Sequence, residues 1–309
     1  MSETTPRRLL LLGGGLMGCG IAAIFLAGGW HVQIVTPSAA TRDSLPGRTG
    51  DAIAQLAATV AFEDALTVRA SLDDADTTQV DLVIEAVSED LALKQALFRE
   101  LDARVPPTVP LATNTSTFPI GRIAETLTSA ARIVGAHFFM PAHLVPLVEV
   151  VLGPRSDPAI AGRLTTWLRA LGKRPILVEK DIPGFIANRI QHAMMREALY
   201  LIEGGVASAE DVDTAVRFGF GFRFIACGPI LQKEMSGWDT NCRAGNALYP
   251  DLNTADRFPP TLAQMVSEGR VGMKSLDGVW SWTPESVAET QARIGRRLQA
   301  GLALLLEDC

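Results

Sequence analysis

Two groups of residues in this 309-residue chain are suited to chemistry: three glycines spaced Gly13-x-Gly15-x-x-Gly18, and the combination of His137 with Glu149. The glycines follow a short apolar run, Arg8 to Leu12, and open a helix-forming run from Leu16 to Ala27. Gly28-Gly29 end that run, and His31 to Val35 read as a second strand. Strand, glycine turn, helix and strand fill a βαβ unit of about 30 residues, the context in which this spacing binds a dinucleotide. Gly13 permits the tight turn, Gly15 lets a pyrophosphate approach the backbone, and Gly18 lets the helix pack closely on the sheet. The first helical residues, Leu16 and Met17, present free N–H groups and the positive end of the helix dipole to the phosphates.

Such a fingerprint normally ends in an acid at the tip of the second strand, where it binds the adenosine ribose. Here Thr36-Pro37-Ser38 occupy that place. Without a carboxylate to repel a 2′-phosphate, Ser38 or Arg42 could contact one, while Asp43 could instead reach back to the ribose. NAD is the expected cofactor, with NADP the alternative, and Thr36 the residue at the ribose end.

A nicotinamide dinucleotide implies hydride transfer, and alcohol oxidation then needs a base for the hydroxyl proton. The histidines are His31, His137, His143 and His192. His31 begins a strand and reads as structural, and His192 lies on a long helix as a packing or surface residue. His137 follows the strand Arg132 to Ala136, at the carboxyl edge where such sheets bind ligands. Glu149 lies in the apolar stretch Pro146-Leu-Val-Glu-Val-Val, where an unpaired carboxylate would be costly to bury. Pairing with His137 would satisfy the acid, fix the imidazole tautomer and raise its basicity. A purely structural ion pair is the other reading of the same two residues.

The elements that must position these groups are legible as alternating strands and helices over about 180 residues. Val80 to Ala86, Val109 to Asn114, Arg132 to His137, Leu147 to Val151 and Pro175 to Val178 read as strands, and Leu91 to Leu101 as an amphipathic helix. After Asp181-Ile-Pro-Gly-Phe the pattern turns helical. A long helix carrying Ile186, Ile190, Met194, Leu201 and Ile202 stops at Gly204-Gly205, and Ser208-x-x-Asp211 caps the next helix. Met194 and Met195 read as core or dimer-seam residues. The expected fold class is α/β: a Rossmann-type, doubly wound, mainly parallel sheet over residues 1–184, then a smaller all-helical domain over 185–309. The domains are expected to share a cleft, and the helical one to form a homodimer.

Composition narrows the partners. Lys plus Arg number 28 against 34 Asp plus Glu, a net charge of -6, so no broad nucleic-acid or anionic-membrane face is expected. The partner is then a small molecule. The uncharged stretch from residue 9 to 30 follows Arg7-Arg8 and raises an export or membrane reading, which the glycines at 13–15 weaken. Cys19, Cys227, Cys242 and Cys309 form no C-x-x-C pair, which fits reduced thiols in the cytoplasm and no metal site. No prenylation pattern precedes Cys309.

Seven motifs occur in order: Gly-Gly-Gly-Leu-Met-Gly at 13–18, Glu-Ala-Val-Ser-Glu-Asp at 85–90, Asn-Thr-Ser at 114–116, His-Phe-Phe-Met-Pro at 137–141, Pro-Leu-Val-Glu-Val-Val at 146–151, Asp-Ile-Pro-Gly-Phe-Ile-Ala-Asn-Arg at 181–189 and Gly-Arg-Val-Gly-Met-Lys at 269–274. In them the chain resembles the 3-hydroxyacyl-CoA dehydrogenase superfamily over nearly its whole length. The resemblance implies that His137 is the general base and Glu149 its orienting partner. It also implies that Ser116 and Asn188 bond the reacting oxygen or hold His137, and that Glu89, Lys94 and Asn114 lie by the cofactor. For Ser116 the structural alternative is a turn bond, for Asn188 a helix cap, and for Glu89 and Lys94 a solvated pair at a helix start.

Two departures stand out. Met140 replaces the Asn common in the family beside the base, and the segment after Lys274 reads Ser-Leu-Asp-Gly-Val-Trp. Gly219-Phe-Gly-Phe-Arg-Phe and Gly228-Pro229 resemble the branch with gulonate and carnitine dehydrogenases, which oxidises free 3-hydroxy acids. That resemblance makes Arg223 a carboxylate clamp, with a structural helix-end cation as the alternative, and leaves Met140 facing substrate. Between residues 40 and 75, Arg42, Arg48 and Arg69 are set against Asp43, Asp51, Glu63, Asp64, Asp73 and Asp74, poor support for coenzyme A phosphates. The expected substrate is a free L-3-hydroxy acid, with a 3-hydroxyacyl-CoA as runner-up. Two further classes are weighed. One is the β-hydroxyacid dehydrogenases, which use a lysine where this chain has Asn188-Arg189. The other is a cofactor-binding protein impaired in catalysis by Met140.

Overall fold

The computed structural model describes residues 6–306. Eight strands form one sheet in the order β3-β2-β1-β4-β5-β6-β7-β8. They are β1 (Arg8–Leu12), β2 (His31–Val35), β3 (Leu66–Arg69), β4 (Leu82–Glu85), β5 (Leu111–Thr113), β6 (Ile133–Phe138), β7 (Leu147–Leu152) and β8 (Arg174–Val178). Every neighbouring pair is parallel except β6 and β7. The helices of this part are α1 (Leu16–Ala27), α2 (Ala39–Gln55), α3 (Leu91–Arg104), α4 (Ile120–Ile123) and α5 (Pro158–Ala170).

The sheet is doubly wound because alternate side chains of each strand feed different cores. Leu9, Leu11, Val32, Ile34, Leu82 and Ile84 pack with the buried faces of α1, α2 and α5. Leu10, Leu12, Val83 and Leu111 pack with Phe98 and Leu101 of α3 and Ile120 and Ile123 of α4. The uncharged stretch from residue 9 to 30 is therefore strand, turn and a buried helix of 12 residues. No helix of the described residues is long and apolar enough to cross a membrane.

Four elements of this part, β3, α2, α4 and α5, have no counterpart in the sequence reading. β3 is a short, half-buried edge strand. α2 carries Pro46 in its interior and has few apolar residues, but Ser38 caps it by accepting the Thr41 N–H.

Contacts divide the chain between Arg189 and Ile190. α6 (Ala187–Glu203) continues past that point, followed by α7 (Ala209–Phe218), α8 (Pro229–Ser236), α9 (Trp238–Leu248), α10 (Pro260–Ser267) and α11 (Pro284–Leu306). α6 stops before Gly204-Gly205, and the Ser208 hydroxyl accepts the Asp211 N–H to open α7. Beyond residue 189 only isolated bridges, Gly272 with Asp277 and Asp277 with Ser281, have β character among the described residues. This second unit buries almost nothing: Gly278 is the one buried residue among those described from 190 onward. Met194 and Met195 are exposed, so they are not core residues of this chain.

Candidate active site

The glycine turn has the geometry that a dinucleotide requires. Gly13 lies at φ +103°, and a Cβ there would stand 2.4 Å from the Ala86 carbonyl oxygen. Gly15 faces open space, with nothing within 4 Å of a Cβ position. A Cβ at Gly18 would fall 1.9 Å from the Gly13 carbonyl oxygen, so this glycine serves the turn itself rather than contact with the sheet. Gly15 caps α1 without a side chain and no acid lies in the first turn, which leaves the Leu16 and Met17 N–H groups open to an anion. These residues fit a pyrophosphate. Gly13→Ala is expected to strain the backbone by about 1–3 kcal/mol. NADH binding measured by fluorescence titration should weaken by roughly tenfold or more.

At the tip of β2, Thr36 is buried, and its carbonyl and that of Pro37 accept from Arg42 Nη1 at 2.9 and 2.6 Å. Ser38 is engaged as the α2 cap, and Asp43 is exposed on that helix. The two candidates for a 2′-phosphate are thus already engaged with backbone.

His137 lies in β6, one residue before its end, and is paired in register with Glu149 of the antiparallel β7. Its Nδ1 is 2.7 Å from Glu149 Oε2, with His137 4% exposed and Glu149 fully buried. The other carboxylate oxygen, Oε1, accepts the N–H groups of Ile186 and Ala187, both at 2.9 Å, where α6 begins. Burial opposes the Glu149 charge, but the bonds from His137, Ala187 and Ile186 hold its carboxyl below the usual range. An ionised acceptor at Nδ1 makes that nitrogen the N–H, so Nε2 presents its lone pair as a base. Rings of Phe139 and Phe185 flank the imidazole at 4.4 and 5.7 Å.

The sign of the pH effect follows from the lowered Glu149 pKa. Its stabilising contribution is complete above the ordinary value of 4.5 and is lost as pH falls through the lower folded value. Thermal melts from pH 7 downward should show the midpoint falling below about pH 4.5, and Glu149→Gln should flatten that dependence.

Ser116 and Asn188 are brought together, but neither hydrogen-bonds His137. Asn188 Nδ2 donates to the Ser116 carbonyl at 3.3 Å, and the Ser116 hydroxyl is 3.3 Å from that of Thr117. Asn114 Oδ1 accepts the Phe138 N–H at 2.8 Å, joining the turn after β5 to the strand that carries His137.

Of the pair Glu89 and Lys94, Lys94 is shut away from solvent and Glu89 is not. Lys94 is 1% exposed, its ammonium 2.6 Å from Glu85 Oε1 and 3.3 Å from Glu89 Oε2. Glu89 Oε1 accepts from the Thr115 and Thr117 hydroxyls and from the Ser116 and Thr117 N–H groups. Burial opposes the Glu89 charge, yet the bonds from Thr115, Lys94 and Thr117 keep its carboxyl below the ordinary range. Glu85, which the sequence reading passed over, also accepts from Val87 N–H and the Thr113 hydroxyl, both at 2.7 Å. The signal was available: like Glu149, it is a carboxylate in an apolar strand. Together these bonds tie the ends of β4 and β5 to the turn bearing Ser116.

Met140 is 67% exposed. Arg223 belongs to the second unit, on the short turn Gly221–Ile225, where it is exposed and its guanidinium meets the Gln232 amide oxygen at 2.7 and 3.2 Å. Cys19, Cys227 and Cys242 are free thiols, and Cys309 lies outside the described residues. Among the described residues no cluster of three or more His, Cys, Asp or Glu side chains could hold a metal.

A doubly wound sheet, a glycine turn that fits a pyrophosphate and a buried imidazole–carboxylate pair together describe a nicotinamide-dependent dehydrogenase. The chain belongs to the 3-hydroxyacyl-CoA dehydrogenase family: the family's NAD binding domain matches residues 8–182 and its C-terminal domain residues 184–282. It is an NAD-dependent dehydrogenase of that family. It is 33% identical to 5-formyl-3-hydroxy-2-methylpyridine 4-carboxylate 5-dehydrogenase of Mesorhizobium japonicum, over 95% of this chain and 96% of that protein. It is 36% identical to L-carnitine dehydrogenase of Streptomyces coelicolor, over 76% and 75%. A 34% match to 3-hydroxyadipyl-CoA dehydrogenase of Escherichia coli covers 90% of this chain and 59% of that protein. Among solved structures, an NAD+-dependent dismutase, the 5-dehydrogenase of the same pyridine carboxylate, superposes with TM-score 0.92 at 30% identity, covering 97% of this chain and 99% of that one. FadB2 of M. tuberculosis gives 0.74 at 31% identity, covering 91% and 100%.

Proposed function

We propose that this dehydrogenase moves a hydride between NAD and the secondary alcohol of a small free L-3-hydroxy acid, with His137 and Glu149 as the acid–base pair. The observation that carries the reading is the 2.7 Å contact between His137 Nδ1 and Glu149, which leaves Nε2 as the proton acceptor. When bound, NAD accepts the hydride carried by the alcohol carbon. His137 Nε2 takes the hydroxyl proton as the carbonyl forms, and Glu149 stabilises the imidazolium. Ser116, its backbone held by Glu89 and Asn188, offers its hydroxyl to the forming carbonyl oxygen. Met140, exposed after the strand that carries His137, is read as lining the substrate.

A free acid is favoured over a coenzyme A thioester because two of the three arginines between residues 40 and 75 are engaged with backbone carbonyls. Arg42 is held on the carbonyls of Thr36 and Pro37, and Arg48 Nη1 lies 3.3 Å from that of Gly14. The whole-length likeness to a pyridine carboxylate dehydrogenase and the likeness to L-carnitine dehydrogenase point the same way, since both names denote small free carboxylates. The test is NADH formation with L-carnitine, L-3-hydroxybutyrate, L-gulonate and 3-hydroxybutyryl-CoA. Turnover of a free acid is expected. A kcat/KM highest for the thioester would overturn the free-acid reading, and cofactor binding without any alcohol oxidation would overturn the enzymatic role of the pair.

The protein is further read as a homodimer assembled through its second unit and working in the cytoplasm. A domain of this size normally buries more than half of its surface, whereas Phe218 and Tyr249 are each 71% exposed here. Light scattering after size exclusion should give twice the chain mass; a monomer would refute this. The free thiols support a reducing compartment.

A further inference from the structure

The loop joining β6 to β7 connects the strand of His137 to the strand of Glu149, and its backbone carbonyls converge on one side chain. Within it, the N–H groups of Leu144 and Val145 donate to the Pro141 carbonyl at 3.1 and 3.0 Å, forming a single turn. The carbonyls of Ala142, His143 and Val145 accept from the Lys173 ammonium at 2.7, 3.1 and 3.0 Å. Lys173 sits between α5 and β8, is 4% exposed, and forms no ion pair among the described residues. Its neighbour Arg174 donates its N–H to the Pro146 carbonyl at 2.8 Å.

The other side of the loop lies against α1 and α2. A Cβ on Gly20 would stand 3.1 Å from the Ala142 Cβ and 3.2 Å from His143 Nδ1, while His143 Nε2 is 3.1 Å from Gln55 Oε1. Burying an ammonium is costly, and burial pushes the Lys173 pKa down to about 8. The three carbonyls offset that cost by accepting its protons. A buried cation with no carboxylate partner is a poor stability device, so its geometric role is the informative one.

We propose that Lys173 is a positioning residue for substrate binding, its ammonium clamping the β6–β7 loop so that Met140 and Phe139, whose ring lies 4.4 Å from that of His137, stay in one place. The proposal rests on reading His137 as the acid–base group. The contact between His137 and Glu149 is set by strand register and by the N–H groups that open α6, none of which involves Lys173. Loosening the loop therefore disturbs the substrate rim and leaves proton transfer intact.

Lys173→Met keeps the aliphatic stem and removes every donor. With L-carnitine and 3-hydroxybutyryl-CoA as probes, KM is expected to rise by about tenfold or more while kcat stays within about twofold. The NADH Kd should be unchanged, and amide exchange should quicken at residues 139–146 but not along β1. A folded variant with wild-type KM overturns the proposal. If the variant does not fold, Gly20→Ala serves instead: it crowds the loop from a helix that alanine favours. KM is then expected to rise by about threefold, and no change overturns the proposal. If wild type turns over neither probe, and neither L-3-hydroxybutyrate nor L-gulonate, the hydroxy-acid reading has failed by itself. Exchange at 139–146 then decides the clamp, and an unaltered rate refutes it.

Discussion

Replacing His137 with glutamine is expected to lower kcat by at least about 100-fold, the range typical of losing a general base. Glutamine fills much of the imidazole's space, and its amide N–H can still donate to the buried Glu149 carboxylate, so the β6–β7 register should survive. It has no lone pair able to take a proton near neutral pH. The glycine turn is built from other residues, and the NADH Kd from fluorescence titration should change by less than about threefold. Unimpaired turnover in a folded His137→Gln enzyme would remove the imidazole from the mechanism. Loss of NADH binding alongside activity would instead point to a disturbed fold.

Lys94→Met should give the largest loss of stability. Glu85 is fully buried, and Lys94 is the cation that faces it at 2.6 Å. Removing one partner of a buried pair strands the other charge, which costs about 3–5 kcal/mol. In a unit of this size that lowers the unfolding midpoint by roughly 10 °C, measurable by calorimetry. The double variant Glu85→Gln/Lys94→Met removes both charges while the glutamine oxygen can still accept from Val87 or Thr113. It should recover part of the loss. A single variant as stable as wild type would show that the buried charge is met in some other way. Because Glu89 loses its cation too, the Ser116 turn should loosen and kcat/KM fall alongside stability.

The elements around the glycine turn were legible residue by residue. The bounds of β1, α1 and β2 agree with those expected, because an unbroken apolar run, a glycine turn and a terminating Gly28-Gly29 are all local signals. β5, expected over six residues, spans three, Leu111–Thr113, since apolar composition does not say where ladder pairing ends. β3 went unread because a half-buried edge strand of four residues has almost no pattern of its own. Pro46 obscured α2, although Ser38 is a local capping signal.

At the candidate site, local sequence says less. Asn188 was expected to bond the reacting oxygen, to hold His137 or to cap a helix; its amide bonds the carbonyl of Ser116, 72 residues away, and not His137. Glu89 and Lys94 read locally as a surface pair at the start of α3. Only the packing of α3 on the ends of β4 and β5 buries Lys94 against Glu85 and sets the exposed Glu89 on the Ser116 turn.

Sequence alone determined that this chain builds a dinucleotide-binding sheet and pairs an imidazole with an acid. Glycine spacing and strand periodicity are short-range properties, and a carboxylate inside an apolar strand demands a partner wherever it folds. Tertiary structure decided which charges are buried, which N–H groups Glu149 accepts, and how Lys173 gathers three carbonyls of one loop. Those depend on the antiparallel register of β6 with β7 and on desolvation by elements distant in sequence. No local window contains that information.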